Sequence, residues 1–325
     1  MSNTSPADYI VDRRLLQRKL SFWRVVSILL LIAGLVFIGL RVSGRSSLGL
    51  ASLHIARITI SGVITGDRAT LKLINDVAES KNTAGVILAI DSPGGTTTGA
   101  EKLFIALRRL AAKKPTVAVV GTMAASGAYI AAIGADHIVA PGNALVGSIG
   151  VLFEYPDLSG LLGKVGVKMD SVKSSPLKAE PSGYEPTSPE VRAALASLVA
   201  DSFTWFKGLV KDRRGMTDAQ LATVDDGRVF TGRQGIGLKL IDEVGEEREG
   251  VAWLERVKKV PHGLPVRDWT ATDRFQRFGI FSSAAKIAEV LGFPGLANVL
   301  GGTETYAQGQ LLDGLVAIWQ AGPAN

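Results

Sequence analysis

From His54 to Ala140 the chain repeats one pattern, a short β-branched run, a turn rich in glycine or serine, then a helical stretch. That alternation leaves few folds open, because strands separated by helices pair in parallel and the helices must cover the sheet. His54 to Ile64 reads as a first strand and Asp67 to Ser80 as a helix with Leu71, Ile74 and Val77 on one face. Gly85 to Ile90 is a buried strand, Thr97 to Ala112 a helix, and Thr116 to Val120 a run too short for a helix. A short helix to about Gly134 and a strand at Asp136 to Ala140 follow, then turn chemistry at Pro141-Gly142-Asn143.

The later pattern is less regular. Asp157 to Lys164 suggests a helix, Val167 to Lys173 a strand, and Ser174 to Ser188, with three prolines, an ordered loop. Ser188 caps a long helix to about Arg213 with Pro189 at its first position. Short helices are expected at Thr217 to Leu221 and Thr231 to Gly235, a last strand at Leu240 to Asp242, and a helix at Glu246 to Lys259. Leu311, Leu312, Leu315, Val316 and Trp319 form a helical stripe near the end. The architecture expected is α/β with a mainly parallel sheet. At 325 residues and 46% apolar, the chain builds a core without metal or disulfide staples. The absence of cysteine excludes disulfides, thiol catalysis and cysteine metal sites.

The net charge of +6 does not indicate nucleic acid, because residues 1 to 45 carry seven bases against two acids, leaving about +1 for the rest. Val25 to Leu40 is sixteen residues without a charge, preceded by Phe22-Trp23 and flanked by Arg24 and Arg41. Sixteen falls short of the roughly 20 that span a bilayer, but aromatic and snorkelling arginine flanks extend it. No convincing small-residue cleavage site follows, so a membrane anchor over residues 25–42 is expected, with a basic cytoplasmic segment at 1–24 and a linker at 43–53. Basic residues before the span put the N-terminus inside and the bulk outside, the periplasm in a bacterium.

The stretch Gly121-Thr122-Met123-Ala124-Ala125-Ser126-Gly127-Ala128-Tyr129 carries a strand into a helix through small residues and a serine, a common setting for a nucleophile. A serine hydroxyl needs a base. His54, His137 and His262 all sit where structural or exposed roles fit better. A lysine serves instead when burial lowers its pKa, and Lys178, in Ser174-Ser175-Pro176-Leu177-Lys178-Ala179, is a candidate.

Asp91-Ser92-Pro93-Gly94-Gly95, Met123 to Gly127, Gly147-Ser148-Ile149-Gly150-Val151, Lys178 and Asp225 to Gly235 occur in that order, with Lys178 52 residues after Ser126. The pattern resembles the signal peptide peptidases of the SppA type, in the ClpP/crotonase fold superfamily, over about residues 55 to 245. The resemblance implies a fold of repeated ββα units, a Ser126/Lys178 dyad, Ser148 orienting the lysine amine, and the Gly95 and Gly127 amides as oxyanion donors. It further implies peptide substrates such as signal-peptide remnants, a membrane partner, self-association into a ring-like homo-oligomer, no cofactor, no metal and no nucleic acid. Asp91-Ser92 stands where the family often has other residues, and Ala128 replaces a frequent glycine. The peptidase domain is expected at 54–259, with a helical C-terminal extension at 260–325. A crotonase-like acyl-CoA enzyme and a non-catalytic membrane scaffold are the rival readings.

Overall fold

The computed structural model describes residues 23–30, 52–271 and 315–318. The chain divides into two compact units, Met1–Ser52 and Leu53–Asn325. In the first, residues 23–30 form a helix, α1, with Val25, Ile28, Leu29 and Leu30 exposed. The rest of the expected anchor, residues 31–42, lies outside the described residues.

The second unit opens with β1 (His54–Ile64), α2 (Arg68–Glu79), β2 (Thr83–Thr96), α3 (Thr97–Ala111), β3 (Thr116–Ala125), α4 (Gly127–Ala132) and β4 (His137–Ala140). It continues with β5 (Leu145–Gly147), β6 (Leu152–Phe153), α5 (Ser159–Lys164), α6 (Pro189–Arg214) and α7 (Asp218–Leu221). β7 (Val229–Thr231), α8 (Gly232–Gly237), β8 (Glu243–Val244), α9 (Glu247–Arg256), β9 (Val266–Trp269) and β10 (Leu315–Ile318) complete the described elements.

One mostly parallel sheet results. β1 pairs with β2, β2 with β3, β3 with β4 and β5, β4 with β8, and β1 with β9, all in parallel. β10 runs antiparallel between β2 and β6, and β7 antiparallel to β5. β2 and β3 are buried on both faces. Leu88, Ile90, Ala118 and Val120 meet the core formed with α2, α3 and α4. Ile87, Val117 and Val119 meet Trp253 and Leu254 of α9 on the other side. This two-sided burial is why these runs show no polar alternation.

The helix ends follow their caps. The Asp67 carboxylate accepts from the Thr70 N–H at 2.8 Å to start α2. Ser188 caps α6 ahead of Pro189, and Gly215, at φ 56°, ends it in the left-handed conformation. Among the described residues, α6 alone is long and apolar enough to cross a membrane by length and composition. Its Phe206 and Val210 instead enter the core.

Four expectations are corrected. The first is the helical extension expected from residue 260, since Val266–Trp269 forms β9 along β1 and belongs to the sheet. Val167 to Lys173 forms no strand, for no neighbouring strand pairs with it among the described residues. The strand expected at Leu240 to Asp242 forms immediately after that stretch, as β8: the Leu240 N–H turns back to the Gly235 carbonyl, and the Asp242 carboxylate accepts from the Ile138 N–H at 2.8 Å. Residues 315–318, expected in a helix, form β10, because the edge of β2 at Gly94 to Thr96 offers backbone groups to a strand. Residues 311–314 and 319 lie outside the described residues.

Tyr129 of α4 is fully buried, and its hydroxyl donates to the Leu240 carbonyl at 2.8 Å. Burial pushes its phenol pKa up. Tyr129→Phe keeps the ring but strips a buried carbonyl of that donor, which costs roughly 1–3 kcal/mol. Urea denaturation should show that loss; an unchanged midpoint would mean the bond carries no net stability.

Candidate active site

The end of β3 pairs with β5 at Met123–Leu145, Ala124–Val146 and Ala125–Gly147. One residue further, the two chains reach Ser126 and Ser148. Neighbouring strands lie about 4.8 Å apart, so this register sets the two serines side by side. Both are buried, 1% and 7% exposed. Both adopt positive φ, 55° at Ser126 and 52° at Ser148, a region costly for a residue with a Cβ.

Backbone bonds hold that geometry. The Ser126 N–H donates to the Gly147 carbonyl at 2.8 Å, and the Ser126 carbonyl accepts from Tyr129 and Ile130 at 2.9 and 3.1 Å. The Ser148 N–H donates to the Arg228 carbonyl at 2.9 Å. The Asp225 to Gly235 motif thus backs Ser148, with β7 laid along β5. The Ser126 hydroxyl does not cap α4 and stays available. Gly127 is the first residue of α4, where an N–H has no partner within the helix.

β2 lies on the other side of β3. The pairing of Ser92 with Ala124 brings Gly94-Gly95 to the same end of the sheet as Ser126. Gly94 has φ 109°. Gly95 must lack a side chain, since a Cβ there would lie 1.9 Å from the Ile64 carbonyl oxygen. β10 runs antiparallel along this turn, with Ala317 opposite Gly95, and lies against α4 as well.

Lys178 stands apart. It is exposed on the loop between α5 and α6, with its N–H bonded to the Ser175 carbonyl at 3.1 Å. Among the described residues its ammonium makes no hydrogen bond or ion pair, so the single chain does not join it to Ser126 or Ser148. Lys173 and Glu180 pair across the base of its loop, and Glu180 also accepts from the Ser182 N–H at 2.9 Å. The histidines are engaged elsewhere: His54 with the Trp269 indole at 3.0 Å, His137 stacked on Trp253 at 4.5 Å, His262 on Glu255 at 2.7 Å.

Sequence reasoning missed what Asp91 and Ser92 do. Asp91 accepts from the Met123 N–H at 3.2 Å, and the Ser92 hydroxyl donates to the Gly62 carbonyl at 2.6 Å. The available signal was two polar residues closing an apolar strand.

Residues 108–261 match the model of peptidase family S49. A putative protease of Synechocystis is 36% identical over 201 residues, 61% of this chain and 72% of that protein. The chain belongs to peptidase family S49. Protease 4 of Salmonella typhi is 32% identical over 200 residues, which cover 61% of this chain and 32% of that longer protein. A putative signal peptide peptidase SppA of Enterococcus faecium is 29% identical over 228 residues, 65% of this chain and 66% of that one. Among solved structures the chain is similar to ClpP1 of Listeria monocytogenes, with TM-score 0.38 and 13% identity over 60% of this chain and 94% of that one. As an S49 peptidase the chain is a serine peptidase.

Two outcomes test the S49 site's construction. Gly95→Ala drives a methyl into the Ile64 backbone and should cost at least about 1–3 kcal/mol in urea denaturation. A neutral result would show that the turn relaxes freely. The second concerns pH. Hydrogen bonding to Lys173 holds the Glu180 carboxyl below its usual range, and the same bond raises Lys173. Glu180's contribution is therefore complete above its unfolded pKa of about 4.3 and lost as pH falls through the lower folded value. That of Lys173 lasts up to about 10.4 and is lost as pH rises through its folded value. Hydrogen exchange over residues 174–187, corrected for intrinsic rate, should lose protection below about pH 4 in the parent. Glu180→Gln should remove that step; a step that survives it would have another cause.

Proposed function

We propose that this S49 peptidase is a membrane-anchored endopeptidase in which Ser126 attacks the scissile carbonyl and Lys178 is its base. The observation that carries the reading is the β3–β5 register, which sets a strained, buried Ser126 with an uncommitted hydroxyl beside Ser148. Oγ attack passes the hydroxyl proton to the Lys178 amine, and the carbonyl oxygen takes up negative charge. The Gly95 and Gly127 amides receive that oxyanion, and Ser148 orients the amine. Collapse returns the proton to the leaving amine, and water then hydrolyses the acyl-Ser126 ester. Preorganised backbone donors of this kind are worth several kcal/mol in the transition state.

A lysine works as a base only where its surroundings disfavour the ammonium form. Lys178 is exposed in one chain, so a neighbouring copy supplies those surroundings and the dyad is completed across subunits. The arm that carries it supports self-association, because Leu161, Val165, Val167, Met169, Val172 and Leu198 are all exposed there. The slot between β2 and β6 already holds an extended strand, β10, which supports peptide substrates bound by strand addition. Apolar peptides such as signal-peptide remnants suit an enzyme tethered beside them. The exposed apolar α1 and the basic N-terminal segment support an inner-membrane anchor, N-terminus inside and peptidase unit in the periplasm. The reaction uses no cofactor, and nucleic acid is no partner.

Ser126→Ala and Lys178→Ala should each lower turnover of an apolar fluorogenic peptide by about 10⁴-fold or more while leaving the protein folded. Retained turnover in either refutes the dyad. Mixing the two inactive variants under conditions that exchange subunits should restore part of the activity. A mixture that stays inactive would place both residues of each dyad in one chain.

A further inference from the structure

Two irregularities of the sheet meet at one dipeptide. β1 and β2 run in register to Ser61–Asp91 and resume at Val63–Gly94, so Gly62 alone faces Ser92 and Pro93. β2 and β3 run in register to Ile90–Val120 and resume at Ser92–Ala124, so Asp91 alone faces Gly121, Thr122 and Met123. At each place the break in the ladder leaves backbone groups without their regular partners. The side chains of Asp91 and Ser92 stand in for those partners.

They reach in opposite directions. Asp91 accepts from the Met123 N–H at 3.2 Å, bracing β3 three residues before Ser126. Ser92, 1% exposed, donates to the Gly62 carbonyl at 2.6 Å and accepts from the Gly94 N–H at 3.1 Å. The second bond fixes the residue immediately before Gly95. One dipeptide therefore ties the Gly94-Gly95 turn to β1 and the approach to Ser126 to β2.

We propose that Ser92, seconded by Asp91, is a positioning residue of the peptidase site, fixing the Gly95 amide relative to the Ser126 hydroxyl. The inference rests on the reading of Ser126 as nucleophile and Gly95 as oxyanion donor. An oxyanion donor works only within about 2.7–3.1 Å of the oxygen it stabilises. Ser92 touches no substrate; it acts through Gly94 and Gly95. The Gly62 carbonyl and Gly94 amide lose their partner when its hydroxyl is removed, and the turn is free to drift while the peptide track along β2 remains.

The full-length protein in detergent tests this with a fluorogenic peptide amide, a peptide aldehyde and the matching peptide alcohol. The aldehyde forms a tetrahedral adduct whose oxygen occupies the oxyanion position, and the alcohol does not. Ser92→Ala should lower kcat on the order of 10- to 100-fold with KM within about threefold of the parent. Aldehyde affinity should fall with kcat while alcohol affinity holds. Asp91→Ala should show a smaller loss in the same sense, and Asp91→Asn, which keeps an acceptor for the Met123 N–H, should restore it. A Ser92→Ala protein with kcat within twofold of the parent overturns the proposal. So does a loss shared equally by aldehyde and alcohol, which would mark a general structural defect. Failure of the parent itself to turn over peptide, with Ser126 unlabelled by a fluorophosphonate, would instead sink the peptidase reading beneath it.

Discussion

The bond from the Ser126 N–H to the Gly147 carbonyl, 2.8 Å long, extends the β3–β5 ladder one residue past the end of β3, and the geometry around the serine depends on it. It holds Ser126 at φ 55° and ψ −118° as the chain turns into α4. A residue with a Cβ pays on the order of 1–3 kcal/mol there and stays only where its surroundings over-determine it. Here the surroundings form a series. β7 pairs with β5, the Arg228 carbonyl holds the Ser148 amide, and β5 in turn holds Ser126. The Tyr129 hydroxyl anchors α4 from behind by its bond to Leu240.

Rigidity and exposure divide the candidate site in two. Ser126, Gly127, Gly95 and Ser148 all sit at the ends of strands or the start of a helix packed into the core. β2 and β3 cannot shift without disturbing apolar contacts on both faces. Lys178 rises from an exposed loop tied by the Lys173–Glu180 pair, by turn bonds, and by bonds from Leu158 to Gly183 and Tyr155 to Thr187, and the first half of α6 beyond it is largely exposed. Local opening concentrates in regions with few buried contacts. On the proposed mechanism, the half that binds the oxyanion is built in advance, and the half that takes the proton is completed by association.

Local pattern carried most of this into the sequence. The strand-to-helix passage at Ser126 was legible because apolar β-branched residues give way to small ones, and α2 and α6 because Asp67, Ser188 and Pro189 mark their starts. What was not legible depends on partners distant in sequence. Val167 to Lys173 alternates like a strand but has no described edge to join, while 315–318 carries a helical period and becomes a strand because β2 and β6 offer one. The link from Arg228 to Ser148 crosses 80 residues and involves only backbone atoms, so no side chain announces it. Asp91 and Ser92 read as the polar close of a strand, since the bulges they serve exist only once three strands are aligned.

Those bulges shape the candidate site at the carboxyl ends of β2 and β3. In a regular parallel sheet neighbouring strands advance at nearly the same rise per residue, so paired residues stay level along the ladder. Setting three residues of β3 against Asp91, and Gly62 against two residues of β2, breaks that equivalence at one level of the sheet. β3 gains the slack to turn Ser126 into a positive φ, and β2 gains the slack to present Gly94 and Gly95 at its edge. The cost of each irregularity is a set of backbone groups without ladder partners, and a short polar side chain at the point of irregularity meets that cost at the least distance. An aspartate followed by a serine, one reaching to each neighbouring strand, serves both sides at once.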